Sequence, residues 1–183
     1  MFRPKLILPL LFIITLFATH ASVKDYASAY ASMPFNAIKA ASLCAPGESI
    51  VWSCETVKDR KVASVCSSKD LDKSRGYVQY RFGLPGKVEL EFPRERANSQ
   101  SAFKYSRYTR PLVTYLKLEF ANSGFTYTIS DDFNSEEKPS RRDAGITVAA
   151  AGANAAETRL RCRQPITGSL MKLEDVVQRR LDA

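Results

Sequence analysis

The chain has 183 residues, 45% of them hydrophobic and 25% charged, with a net charge of +8, which is ordinary globular composition. Its one histidine, His20, falls in a segment read below as a removable leader. The remainder therefore excludes histidine-based acid–base catalysis, Ser-His-Asp and Cys-His nucleophile pairs, and His-ligated zinc.

Residues 1–21 have the three parts of a secretory signal peptide: basic Met1–Lys5, an uncharged apolar run from Leu6 to Ala18, and small residues at Thr19 and Ala21. The apolar run is too short for a bilayer span, so the expectation is an exported protein, periplasmic or secreted, with no transmembrane segment after cleavage. Loss of Arg3 and Lys5 leaves 25 basic residues against 19 acidic ones, a net +6. Residues 22–43 are rich in Ala and Ser and are interrupted by Pro34, which reads as a mobile arm. Residues 44–183 read as a single β-domain with a C-terminal helix.

Four short runs with period-two alternation follow. They are Ser49–Thr56, 61–67, 76–83 and Lys87–Phe92. Charged residues 57–60 separate the first two, and Leu84-Pro85-Gly86 turns the last two. Residues 93–110 are irregular, with a possible strand at 101–108. They interleave Arg107 and Arg110 with Tyr108, the composition of a nucleic-acid or glycan surface or of a solvated edge or crossing loop. Export argues against nucleic acid as the partner.

A hairpin is predicted from Val113–Asn122 and 125–131 around Asn122-Ser123-Gly124. Polar residues 131–143 read as an exposed loop. Asp131, Asp132, Glu136 and Glu137 lack the ligand spacing of a calcium loop, so no metal is assigned. Residues 145–151 and 157–163 complete the strands. In the last, Arg159, Arg161 and Arg163 share one face and form a ladder able to grip phosphate, carboxylate or an anionic glycan. The plainer role of that ladder is pairing with Glu89 and Glu91. Leu170, Leu173, Val177 and Leu181 recur at helical spacing and predict a helix over 170–181 with Ser169 as N-cap.

Cys44, Cys54, Cys66 and Cys162 form an even set in an exported chain, which reads as two disulfides with three possible connectivities. Cys54–Cys162 with Cys44–Cys66 is favoured, because it ties an early strand to the last one. The fold class is thus mainly β: one antiparallel meander of about eight strands forming a barrel or small sandwich, with a C-terminal helix. No cofactor is implied.

The string Cys44-x-x-Gly47-Glu48, Ser53-Cys54, Ser64-x-Cys66 and Tyr77-x-x-Tyr80-Arg81-Phe82-Gly83 resembles an uncharacterised family of small exported proteobacterial proteins. That resemblance implies localisation and fold, and no chemistry. More locally, Ser123-Gly124-Phe125-Thr126-Tyr127 is similar to the S-G-x-x-Y motif of periplasmic c-type lysozyme inhibitors. It implies a lysozyme partner reached through Ser123, Gly124 and Tyr127.

The functional expectation is a non-catalytic envelope protein that binds a protein or an anionic glycan or lipid through Arg and Tyr. Inhibition of a cell-wall hydrolase is the alternative. A carboxylate-only enzyme would have to use Glu89, Glu91 and Glu119.

Overall fold

The computed structural model describes residues 41–151 and 156–180. Nine strands form one antiparallel sheet: β1 Ser49–Thr56, β2 Val62–Ser67, β3 Val78–Leu84, β4 Lys87–Phe92, β5 Lys104–Arg110, β6 Val113–Asn122, β7 Phe125–Asn134, β8 Arg141–Ala150 and β9 Glu157–Gly168. Their order is β4-β3-β2-β1-β9-β8-β7-β6-β5. First and last strands are thus partners in the middle, and the two edges are β4 and β5.

The sheet curls into a half-barrel rather than a closed barrel or a sandwich. Aromatic contacts measure the curl. Phe92 of edge strand β4 stacks on Phe120 of β6, centroids 4.4 Å apart, and Tyr80 of β3 lies 5.1 Å from the same ring. These strands sit near opposite ends of the sheet order, so the sheet has bent almost round. The concave side is the core. Trp52, Val65, Tyr80, Phe103, Tyr105, Leu118, Ile129 and Ile146 are each at most 1% exposed there.

Period-two alternation explains most of this, broken by register shifts in the β1–β2, β1–β9 and β3–β4 pairings. The β1–β2 register shifts between Ile50 and Trp52, which puts Ile50 opposite Cys66 rather than on the face of Trp52. Beside the bulge, a Cβ on Gly168 would lie 2.1 Å from the Val51 carbonyl oxygen, and its φ is +72°; only glycine fits.

The convex side of β1–β3 is also buried, which alternation alone does not foretell. Residues 41–48 cross it as a strap. Leu43 N–H donates to Ser64 Oγ, Ser53 Oγ donates to the Ala41 carbonyl, and the Cys44–Cys66 disulfide fixes the strap to β2. Beneath it Arg81 donates to Glu48, Glu91, Gln79 and the Leu43 carbonyl. Residues 41–43 of the expected arm therefore belong to the domain, while the rest of the arm and the expected leader lie outside the described residues.

Both favoured disulfides are present. Cys54–Cys162 joins β1 to β9 and Cys44–Cys66 joins strap to β2.

Four expectations are corrected. The strand count among the described residues is nine rather than about eight, because β5 is a full strand. The loop placed at 131–143 is mostly strand: β7 continues to Asn134 and β8 begins at Arg141. β9 continues past Arg163 to Gly168, since a register shift between Ser53 and Glu55 absorbs Pro165, which has no N–H to give a ladder.

The predicted helix 170–181 is absent among the described residues. A 3-10 turn spans Leu170–Leu173, further turns run to Val177, and the chain then extends over residues 178–180. The apolar spacing was real: Leu170, Leu173 and Val177 are all buried. The backbone found better partners elsewhere. Leu170 N–H donates to Asp131, Tyr105 N–H donates to the Gln178 carbonyl, and Arg180 N–H donates to the Tyr105 carbonyl. The tail thereby covers part of the open edge of β5.

Candidate functional site

The convex face of β5–β9 is not covered by the strap. The two-residue connection Pro111-Leu112 sets the β5–β6 register, with Leu112 at φ 67°, and places Tyr108 directly opposite Tyr115. Their rings stack with centroids 5.9 Å apart and 17° between planes. They are 55% and 38% exposed, unusual for paired aromatic rings. Tyr115 is in turn opposite Asp132. Ser106, Arg107, Tyr108, Tyr115, Lys117 and Asp132 line a depression of about 390 Å³.

A second row runs beside the first. Lys117 faces Ser130, Ser130 faces Gly145, and Gly145 faces Arg161. The row has a cation at each end and small residues between. A Cβ at Gly145 would come within 2.7 Å of the Leu160 carbonyl oxygen, so this floor stays bare. In the next row Thr128 faces Thr147, which faces Arg159. On this face the rows between the aromatic pair and the two arginines thus carry Ser130, Gly145, Thr128 and Thr147.

Asp132 is the electrostatic oddity. Burial raises its carboxyl pKa; Lys117 and Arg159 oppose that rise, and Asp131 and Asp143 add to it. Its Oδ1 is closed to solvent and accepts no hydrogen bond among the described residues.

The expected arginines separate into two groups. Arg163 pairs with Glu55, Arg110 with Glu136, and Arg107 with Glu174, so their charge is spent within the fold. Arg107 also lies on the opposite pleat from Tyr108 and Arg110. Arg159 and Arg161 are exposed, and their side chains have no ion pair among the described residues. They are not matched by Glu89 and Glu91, which instead take Lys61 and Arg81.

The carboxylate trio is dispersed in the same way, each member on its own cation: Glu89 on Lys61, Glu91 on Arg81 and Glu119 on Arg180. The acidic cluster is divided too. Asp131 takes Arg142, Glu136 takes Arg110, and Glu137 lies 3.9 Å from Arg141.

Ser123 and Gly124 form an exposed tip with φ of 51° and 80°. Tyr127 does not project from it. Its ring stacks on Phe120 at 4.8 Å on the concave side, packed against the core.

The residues quoted for the wider resemblance converge on the strap. Glu48 receives Tyr77 Oη–H and both Arg81 NH groups, Ser53 and Ser64 hydroxyls are 2.8 Å apart, and Cys44 is bonded to Cys66. That cluster ties the strap to the sheet, and its charges are matched within the fold.

A larger hollow of about 680 Å³ lies between Lys73–Gly76, the 3-10 turn Ser99–Ala102 and residues 174–179. Its rim carries both signs of charge, and none of its lining residues has a buried unpartnered side-chain atom. It is a crevice between packed loops, and the smaller Tyr108–Tyr115 depression is the better site.

Sequence reading named Arg107, Tyr108, Arg159 and Arg161, weighed Asp132 only within a calcium cluster, and missed Tyr115, Lys117, Ser130 and Gly145. The alternation of Tyr115 and Lys117 was available as a signal, but their partners depend on register. No protein-family model, curated protein or solved structure matches this chain.

Proposed function

We propose that this chain is a non-catalytic exported envelope protein whose convex β5–β9 face binds an acidic glycan. The observation that carries the reading is the coincidence, on one face, of an exposed tyrosine pair with Arg159 and Arg161, whose charges are unmatched among the described residues. Flat aromatic faces attract the C–H edges of a sugar ring, and guanidinium groups receive carboxylate or phosphate bidentately. Two disulfides support an oxidising compartment.

The test is binding of the oxidised protein to an immobilised acidic polysaccharide over a series of salt concentrations. Binding should weaken as salt rises, because the arginines are exposed. Equal retention on a neutral polysaccharide would sink the reading.

A second reading, inhibition of a cell-wall hydrolase such as lysozyme, is favoured only by the exposed Ser123-Gly124 tip. It would have to work without the Tyr127 ring.

A further inference from the structure

Carboxylates around the β7–β8 pairing are matched one by one: Asp131 has Arg142, Asp143 has Arg141, and Glu136 has Arg110. Asp132 has no such partner among the described residues. Its Oδ1 is shut away unpaired beside two tyrosine rings. An apolar side chain of the same shape would remove that cost. A buried acceptor left open at the wall of an aromatic pocket calls for a donor from outside.

The lining restricts what brings that donor. A bare anion would be repelled by Asp132. A plain neutral sugar would leave Arg159 and Arg161 unused. Asp132, Arg159 and Arg161 all stand on this one convex face, so a single extended ligand can meet them. Arg161 on β9 stands two strands from Asp132 on β7 and three from Tyr115 on β6, roughly 10–15 Å at ordinary strand spacing, the scale of two to three sugar rings.

We propose that the pocket is the subsite for an N-acetylated amino sugar within an acidic glycan. The sugar ring lies against Tyr108 and Tyr115, its acetamido N–H donates to Asp132, and the acid group of the adjoining sugar reaches Arg159 and Arg161. Tyr115 and Lys117, both exposed, are the side chains that turn aside to admit the N–H. This rests on the reading of the face as an acidic-glycan surface.

The experiment is calorimetric titration of the oxidised full protein with three oligosaccharides. A hyaluronan tetrasaccharide carries acid and acetamido groups, an oligogalacturonate carries acid alone, and a chitin tetrasaccharide carries acetamido alone. Hyaluronan should bind about tenfold more tightly than oligogalacturonate, the worth of one charge-assisted hydrogen bond.

Asp132→Leu should abolish that preference by lowering hyaluronan affinity to that of oligogalacturonate. Its melting temperature should rise, which separates lost recognition from lost folding. Equal wild-type affinity for the two acidic probes, or a preference that survives Asp132→Leu, overturns the amino-sugar assignment and leaves the acidic-glycan reading standing. Failure of both acidic probes to bind, or chitin binding as tightly as hyaluronan, overturns that broader reading and this one with it.

Discussion

Glu48 and Arg81 form a two-pronged ion pair in which each side chain is only about 5% exposed. The pair joins the strap to β3 and is completed by Glu91, Gln79 and the Leu43 carbonyl. Removing one member strands the other in a nearly dry setting. Arg81→Met should therefore cost about 3–5 kcal/mol, measured as a shift in the urea midpoint at unchanged slope. A loss below about 1 kcal/mol would show that water reaches the pair.

The same pair sets an acid limb. Burial pushes the Glu48 carboxyl up, but hydrogen bonds from Arg81, Tyr77 and the Ala45 N–H outweigh it, and the pKa falls from 4.5 to about 2. A depressed carboxylate stabilises fully above its unfolded value and loses that contribution as pH falls through the folded one. Stability should drop on the order of 2–3 kcal/mol between about pH 4.5 and 2. Glu48→Gln should flatten that part of the profile, and a wild-type-like slope in the variant would count against the assignment.

The two disulfides should differ in worth. Cys54–Cys162 closes a span of 108 residues and Cys44–Cys66 one of 22. Loop entropy assigns about 4–5 kcal/mol to the first and about 3 to the second. Paired Cys→Ala variants, compared by denaturant unfolding, should rank in that order.

Deleting residues 172–183 removes Leu173, Val177 and the pairing at Tyr105. The melting temperature should fall by several degrees, and the bared β5 edge should promote self-association. Light scattering that stays monomeric at high concentration would show the edge to be protected otherwise.

Ser123 and Tyr127 should behave as unrelated residues. Ser123→Ala at the exposed tip should change neither stability nor glycan binding. Tyr127→Ala loses the stack on Phe120 and should cost about 2–3 kcal/mol. If instead both abolish inhibition of a c-type lysozyme while the fold survives, the hydrolase-inhibitor reading gains what the glycan reading loses.

Arg159→Glu with Arg161→Glu should remove most acidic-glycan binding while leaving the melting temperature within a degree or two, because neither side chain holds an ion pair among the described residues. Arg163→Glu should do the reverse, since it breaks the contact with Glu55.

Much of the architecture was legible because alternation reports a single wetted face. Lys87–Phe92 and Val113–Asn122 were found with their ends intact, and the cysteine pairing followed from joining an early strand to a late one. Errors arose where a residue's partner is distant. Arg81 alternates as an outward residue, and only the strap, more than thirty positions earlier, buries it. Leu170, Leu173 and Val177 have helical spacing, yet Asp131 and Tyr105 supply the hydrogen bonds that decide the tail. The site was half legible for the same reason. Tyr108 and Arg161 stand out by composition, whereas Asp132 becomes unusual only once β6 and β8 are laid beside it.

The central pairing of β1 with β9 also imposes an order of events. Synthesis delivers Cys44, Cys54 and Cys66 early and Cys162 about a hundred residues later, so Cys54 waits as a free thiol beside a correct couple and a wrong one. Cys54 and Cys66 fall on opposite faces once β1 and β2 pair, so that hairpin holds the wrong couple apart. Formation of the first hairpin then keeps Cys54 available until the final strand arrives.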